Sequence, residues 1–429
     1  MQHRYYHRLF QRSLRFIIPA GKSVLGLGIS EGDDLAHTAS ARCVLRTDDT
    51  LPGNSDTFDS IFLNGSLGRS ADLCLLLQNV QRHCHPSTRL IIYQHNYLWQ
   101  WILSAAERFH LKKKEQVTNW LSRGDVVIYL QAAGFDVTRT FRRTLCPLHL
   151  FGIGPLINGI ATILPFFDFL KVDQFFVARP MPSLFPESAQ PQSLTICLTV
   201  RDEKENIASI VQSLPEVCSE QEILFVEGHS VDGTREEIER LIPLYPRKHI
   251  RVIGQPGKGQ GDAIRVGFKE AKGDIILLYE GDNTSDPRDI HHFYEAMRKG
   301  YFEFIEGSRF VYPLPKKAMP LLNKLGNIFF ALWFSFFLGQ RSTDVLSGIK
   351  AIRKSDYEHL YREWGFLRIE DPFGDFELLY GAARLGLKFG EIPMRYYPRT
   401  YGSSKSRVFR HGLRLLRMAG QGYLVFRRQ

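Results

Sequence analysis

The apolar residues of this chain fall into short β-rich runs separated by helical stripes, and the alternation is plainest from residue 195 onward. Residues 195–200 (TICLTV) form one run, followed by Ile207, Ile210, Val211 and Leu214 at helical spacing. A second run, 222–226 (EILFV), ends in a polar turn at 227–234 before a helix that begins near Arg235. Val252 and Ile253 lead into a glycine-rich stretch at 255–263 (QPGKGQGDA), and residues 274–278 (DIILL) and Phe304-Ile305 supply two more strands. This order predicts a parallel doubly wound sheet whose polar motifs all fall at ends that share one crevice. The residues before 180 also read as α/β, so the expected class is α/β with two doubly wound domains. Pro180, Pro182, Pro186 and Pro191 mark a semi-rigid linker at 180–193, leaving domains at 1–179 and 194–429.

The polar residues at the predicted strand ends carry the chemistry. Glu280 and Asp282 stand one residue apart where the strand 274–278 runs out. Paired carboxylates at such an edge suit a hard divalent cation, which keeps several waters and also holds substrate phosphates; the plainer alternative is a solvated turn. Lys258, between glycines, reaches a diphosphate oxygen as a mobile point charge, or else decorates a surface turn. Arg309 follows the Phe304-Ile305 strand and either clamps a phosphate or pairs with Glu306 or Asp344. Asp375 and Glu377 precede an amphipathic helix, where each is either a catalytic base or a helix cap.

The segments TVRDEKENI, VEGHSVDGT, GKGQGDAIRVGF, GDIILLYEGD, EGSRF, TDVLSGIKAIRKS and RTYGSSKSR occur in that order between residue 193 and about 420. Together they resemble the family-2 inverting glycosyltransferases of the GT-A fold, closest to the dolichyl-phosphate mannosyltransferase and polyprenyl-phosphate sugar transferase branch. The resemblance implies a nucleotide-sugar donor, Mg2+ or Mn2+, and a polyprenyl-phosphate or other lipid or glycan acceptor. It implies metal ligation by Asp282 and Glu280, the latter where the family usually has aspartate. Donor binding is implied for Arg201, Glu203, Glu227, Ser230, Asp232, Lys258, Gly259, Asp262 and Arg309, with Glu227 again replacing a usual aspartate. Arg399, Lys405 and Arg407 are implied for acceptor or phosphate binding, and Asp375, Glu377 and Asp344 for the catalytic, acceptor-side acidic positions. An acceptor that is already an ionised phosphate needs no base at all.

Two features beyond these motifs point to a membrane surface. Residues 325–339 (LGNIFFALWFSFFLG) are aromatic and nearly uncharged, but shorter than the roughly 20 residues needed to span a bilayer. Arg407, Arg410, Arg414 and Arg417 then line one helical face beside His411, with an apolar side left for lipid or protein. The alternative is a solvated helix packed on its own domain. A net charge of +10 favours anionic partners, and no nucleic-acid motif is present, so nucleic acid is not expected. Six cysteines without a CxxC pair argue for a reducing compartment. His83-Cys84-His85 is too tightly spaced for zinc and reads as surface. No secretory signal is recognised at the N-terminus, where Arg4, Arg8, Arg12 and Arg15 interrupt the apolar residues, so the expected location is cytoplasmic and peripheral at the inner membrane face.

Residues 8 to about 178 carry a second resemblance, to class I S-adenosylmethionine-dependent methyltransferases, through KSVLGLGISEG at 22–32, DTFDSIFLN at 56–64, RLIIY at 89–93 and AAGFDV at 132–137. It implies a possible cofactor site at Gly28, Gly32 and Asp48. Gly26 stands where the family has an acidic residue and Ser30 where it has a second glycine, so a degenerate module is the competing expectation. The apolar stretch 151–170 is punctuated by Gly152, Gly154, Pro155, Gly159, Pro165 and Asp168, which argues against a spanning helix. Three readings follow: a glycosyltransferase with an attached methyltransferase-like domain, a non-catalytic pseudo-transferase scaffold, and a bifunctional glycosyltransferase and methyltransferase.

Overall fold

The computed structural model describes residues 2–29, 43–53, 56–109, 119–185, 192–315, 318–362, 371–399, 401 and 408–428. The chain divides into two compact units, Met1–Ser188 together with Leu424–Gln429, and Ala189–Tyr423. The last turn of the helix Val408–Arg428 therefore groups with the first unit.

The first unit is built on six strands: β1 Val24–Leu27, β2 Cys43–Leu45, β3 Ser60–Asn64, β4 Arg89–His95, β5 Phe135–Arg143 and β6 Asp173–Pro180. Their order is β2-β1-β3-β4-β6-β5. The first four are parallel, and β6 inserts antiparallel between β4 and β5. Leu25, Leu27, Ile61, Leu63, Leu90 and Ile92 on one side of this sheet are fully buried with Leu77, Val80, Val126 and Leu130 from helices. The proline segment does not begin as a linker: Pro180 closes β6, Pro182–Leu184 forms a 3-10 turn, and residues 186–191 lie outside the described ones. His83 and Cys84 are buried rather than surface residues, because His83 Nδ1 bonds the Asp56 carbonyl at 2.8 Å.

The second unit has seven strands: β7 Leu194–Val200, β8 Gln221–Glu227, β9 Ile250–Gly254, β10 Ile275–Glu280, β11 Phe304–Ser308, β12 Lys350–Arg353 and β13 Phe389–Pro393. Their order is β13-β11-β12-β10-β7-β8-β9. The sheet is not wholly parallel as the sequence pattern suggests: β12 runs antiparallel to both β10 and β11, while β10, β7, β8 and β9 are parallel. The near-continuous apolar runs of β7, β8 and β10 follow from burial on both faces. Because β7, β8 and β10 are parallel, Val200, Glu227 and Glu280 all end at one edge, and the loops that follow them gather there.

The aromatic stretch is longer than its uncharged core. A helix runs Leu321–Leu338, ended by Gly339 in the left-handed region at φ 73°. At 18 residues it is long and apolar enough to cross a membrane by length and composition. One face is nonetheless inside the unit: Phe330, Ala331, Phe334 and Leu338 are buried, with Phe334 lying 4.6 Å from Phe376, centroid to centroid. The other face leaves Leu321, Leu325, Leu332 and Phe336 in the open.

Candidate active site

A cleft of about 1020 Å³ opens at the carboxyl edge of β7, β8 and β10. It is lined from β7 by Arg201 and Glu203, from the β8 turn by Gly228 and His229, from the glycine loop by Gln255 to Gln260, and from the end of β10 by Glu280 and Asp282. Pro372, Phe373, Arg399, His411 and Arg414 complete it. Four segments remote in sequence thus meet because parallel strands of one sheet deliver their ends to one side.

The acidic centre is organised by one guanidinium. Arg399 donates to Glu203 at 2.8 Å and to Asp282 at 2.7 Å, bridging the two carboxylates. The other oxygen of Asp282 accepts from the Thr284 hydroxyl at 2.7 Å and its amide at 3.2 Å, a local turn that fixes the carboxylate's direction. Glu280 differs: among the described residues no donor reaches its carboxylate, and it packs against Gly348, where a Cβ would lie 1.9 Å from its carboxyl carbon. Burial, followed by the nearby Asp282 charge, pushes Glu280 up to about 7. A partly buried carboxylate with no donor, beside a second carboxylate and below a loop lined with glycine and lysine, is a donor set that fits a hard divalent cation completing its shell with water and phosphate oxygens. Among the described residues, no group of three or more His, Cys, Asp or Glu is assembled as a closed metal cage.

The glycine loop is held from behind. Asp262 accepts the Gly257 amide at 2.8 Å, and Gln255 donates to the carbonyls of Gly257 and Gly259 at 3.0 and 3.3 Å. Asp262 is thereby a loop-positioning residue, whereas Lys258 is exposed on the cleft wall with no partner among the described residues. Asp232 likewise faces the backbone, accepting from the Thr234 and Lys204 amides at 2.9 and 3.1 Å. Glu227 is buried and takes the Ser230 amide at 2.5 Å, while the Ser230 hydroxyl accepts the Asp202 amide at 3.0 Å. These three therefore shape the turns around the cleft rather than line it.

The three acidic positions considered for catalysis are engaged elsewhere. Asp344 is fully buried in a two-pronged pair with Arg309, at 2.6 and 2.7 Å. Of the two roles open to Arg309, the ion pair is the one formed; burial alone would lower its pKa, and Asp344 more than reverses that. Asp375 binds the buried Lys350 at 2.8 Å, whose pKa burial would lower but Asp375 raises. Glu377 pairs with Arg265 at 2.6 Å, and burial pushes it up to about 8 against that partner. None of the four lines the cleft. Neither Asp375 nor Glu377 caps the helix Asp375–Arg384. That task falls to Asp371, which accepts the Phe373, Phe376 and Glu377 amides at 2.8, 2.8 and 3.0 Å. Its signal in the sequence is the Asp-Pro start of DPFGDFE. Arg399 reaches the cleft; Lys405 and Arg407 lie outside the described residues. Of the basic helix, His411 and Arg414 face the cleft, while Leu413 and Leu416 are exposed.

The possible S-adenosylmethionine site of the first unit is not formed among the described residues. A Cβ on Gly28 would lie 2.2 Å from the Arg69 guanidinium, which fills the space beyond β1 and pairs with Asp49 at 2.9 Å. Asp48 is exposed and turned onto the Thr50 hydroxyl at 2.8 Å, and Gly32 lies outside the described residues.

The model of the family "Glycosyl transferase family 2" matches residues 195–360. A UDP-N-acetylglucosamine–dolichyl-phosphate N-acetylglucosaminyltransferase of Methanococcus voltae is 30% identical over 210 residues, 45% of this chain and 81% of that protein. Glycosyltransferase AglJ of Haloferax volcanii is 29% identical over 215 residues, 50% of this chain and 66% of that protein. A solved glucosyl-3-phosphoglycerate synthase of Mycobacterium tuberculosis superposes with a TM-score of 0.40 at 15% identity, over 56% of this chain and 85% of that one.

Proposed function

The chain belongs to glycosyl transferase family 2, and on that premise we propose that its second unit, of the GT-A type, moves a sugar from a nucleotide-sugar donor onto a polyprenyl-phosphate or other membrane-associated acceptor. The observation that carries this reading is the convergence of Glu280, Asp282, Arg399 and Lys258 on one large cleft. The donor's diphosphate is anionic, and its charge grows as the anomeric bond breaks, so cations must meet it. Lys258 and Arg414 stand on the cleft wall for that purpose, and the glycines beside Lys258 let backbone amides approach. Asp282 and Glu280 would hold Mg2+ or Mn2+, which neutralises the leaving diphosphate when bound. Arg399 would then keep Glu203 and, released from Asp282, turn to the acceptor phosphate.

Asp344, Asp375 and Glu377 are each engaged by a cation away from the cleft, which favours an acceptor that attacks as an ionised phosphate and needs no base. The name of the Methanococcus voltae relative agrees with such an acceptor. The half-exposed apolar face of Leu321–Leu338 supports a seat in the membrane interface, since its other face is committed to the unit. This favours peripheral attachment over a crossing. For the first unit, Arg69 beside Gly28 favours a degenerate methyltransferase-like module without the cofactor.

Transfer assays with a panel of nucleotide sugars, polyprenyl phosphate and Mg2+ or Mn2+ test the reading. Asp282→Asn should lower turnover at least a hundredfold, and chelation should do the same to the wild-type protein. Undiminished turnover in Asp282→Asn overturns the assignment of Asp282, and turnover unaffected by chelation overturns the metal.

A further inference from the structure

The first unit holds a group of buried cations with too few anions to match them. A cavity of about 60 Å³ is lined by Arg12, Arg143, Lys171 and Arg427, with Ser13, Thr144, Asn158 and Thr162 among its polar walls. That is several times the on the order of 10–15 Å³ that one water requires, room for a tetrahedral oxyanion. Among the described residues one carboxylate pairs with the group: Asp168 takes Arg427 through two bonds of 2.6 and 2.7 Å and Lys171 at 2.7 Å. Among the described residues Arg143 meets no carboxylate: it donates to the Phe426 carbonyl at 2.7 Å, and its buried Nε has no partner there. Arg12 is exposed at the rim. Burial, and after it neighbouring positive charge, hold Arg143 down at about 9 and Lys171 at about 8, the latter despite its bond to Asp168.

The cavity lies beneath an apolar face that is exposed among the described residues. The helix Ile153–Ile163 is pinned to the unit by Asn158, which accepts the Leu145 and Cys146 amides at 2.8 and 2.9 Å and donates to the Cys146 carbonyl at 2.7 Å. Only Gly154 and Ala161 of this helix are buried. Ile153, Leu156, Ile160 and Ile163 point outward, continued by Phe166 and Phe169 in the 3-10 segment Pro165–Leu170. Phe151, with φ 54°, is turned fully into the open. A contiguous apolar face of this kind marks an interaction surface. Asn158 and Thr162 of the same helix line the cavity, so the anion site and the apolar face are separated by about one helix diameter, roughly 10 Å. An interfacial helix sinks about 5–10 Å into the boundary between headgroups and acyl chains, which brings its inner side to the level of the lipid phosphates.

We propose that the first unit carries a lipid-phosphate site, in which the cavity of Arg12, Arg143, Lys171 and Arg427 takes the phosphate of an anionic phospholipid while Ile153–Ile163 and Pro165–Leu170 seat in the same leaflet. Charge complementarity selects this occupant: an apolar face backed by four cations suits an anionic bilayer, whereas a second copy of the same face would bring like charges together. The site is independent of the transferase reading, since none of its residues touches the cleft of the second unit.

The test is co-sedimentation of the full chain with vesicles of phosphatidylcholine alone and of phosphatidylcholine containing one third phosphatidylglycerol. Phe151→Ser/Phe166→Ser, both exposed, should lower partitioning to the anionic vesicles at least tenfold, and Arg12→Glu should remove most of the preference for anionic over neutral vesicles. Inorganic phosphate binding, measured by calorimetry, should weaken in Arg12→Glu and stay unchanged in the double serine variant. Wild-type partitioning by both variants overturns the proposal. Loss of phosphate binding in Arg12→Glu with vesicle partitioning intact in the double variant makes the cavity a free-anion site and also overturns it. A dimer that dissociates in the double variant, without any change in partitioning, assigns the face to a second copy instead. Sugar transfer to a water-soluble short-chain acceptor should be the same in all these variants, so failure here is distinguishable from failure of the transferase assignment.

Discussion

Arg309→Met separates a structural arginine from a phosphate-binding one. Arg309 is 8% exposed and Asp344 0%, and the guanidinium meets the carboxylate at 2.6 and 2.7 Å while donating also to the Leu346 carbonyl at 3.1 Å. Methionine fills much of the same volume but leaves a buried carboxylate that, among the described residues, only the backbone amide of position 309, at 3.1 Å, solvates. Breaking one side of such a pair costs about 3–5 kcal/mol, against a total of about 5–15 kcal/mol for a typical folded domain. At about 2–4 °C per kcal/mol for a unit of this size, the melting midpoint should fall by roughly 6–20 °C. Arg309→Met/Asp344→Leu removes both charges and should recover most of that loss, because an apolar pair of similar volume is often neutral. Circular dichroism melts report the stability, and calorimetric titration with uridine and guanosine diphosphates plus Mg2+ reports binding at a temperature where the variant is folded. A midpoint essentially unchanged in Arg309→Met, with diphosphate affinity down tenfold, would refute the structural assignment and return Arg309 to the donor site.

Two other predictions follow from close contacts and buried charge. Gly348→Ala places a Cβ where the Glu280 carboxyl sits, 1.9 Å away, so Glu280 must swing aside; Mn2+ affinity by electron paramagnetic resonance should weaken about tenfold with a stability cost of about 1–3 kcal/mol, and unchanged affinity would remove Glu280 from the ligand set. Asp173 in the first unit is fully buried beneath the hydroxyls of Tyr6 and Tyr93, and burial pushes it from 3.8 to about 6. The folded chain therefore keeps this proton at pH values where the unfolded chain has lost it, so its contribution to stability is greatest below pH 4 and falls as pH rises to about 6. Asp173→Asn should gain on the wild type by about 3 kcal/mol across that window, measured by urea denaturation at successive pH values, and a pH-independent difference would contradict the assignment.

The sequence alone determined the strands that carry the site and the order of the motifs on them. Period and composition make β7, β8 and β10 legible, and parallel connection makes their carboxyl ends coincide, so the sequence by itself groups Glu280, Asp282 and Lys258. What the sequence did not determine is which charges remain free. In the sequence Asp344, Asp375 and Glu377 look no different from Glu280 and Asp282, nor Arg309 from Arg399, and only packing shows that each of the four is engaged by an oppositely charged partner away from the cleft. The antiparallel β12 was hidden for a related reason: four residues holding a buried lysine and an arginine have little strand signal of their own, and their place is set by hydrogen bonds offered from β10 and β11. The cationic cavity of the first unit lies further still from sequence reading, since Arg12, Arg143, Lys171 and Arg427 span almost the whole chain. Local periodicity fixes the elements, whereas pairing of charges depends on distances of a few ångströms between residues hundreds of positions apart, and only the tertiary fold sets those.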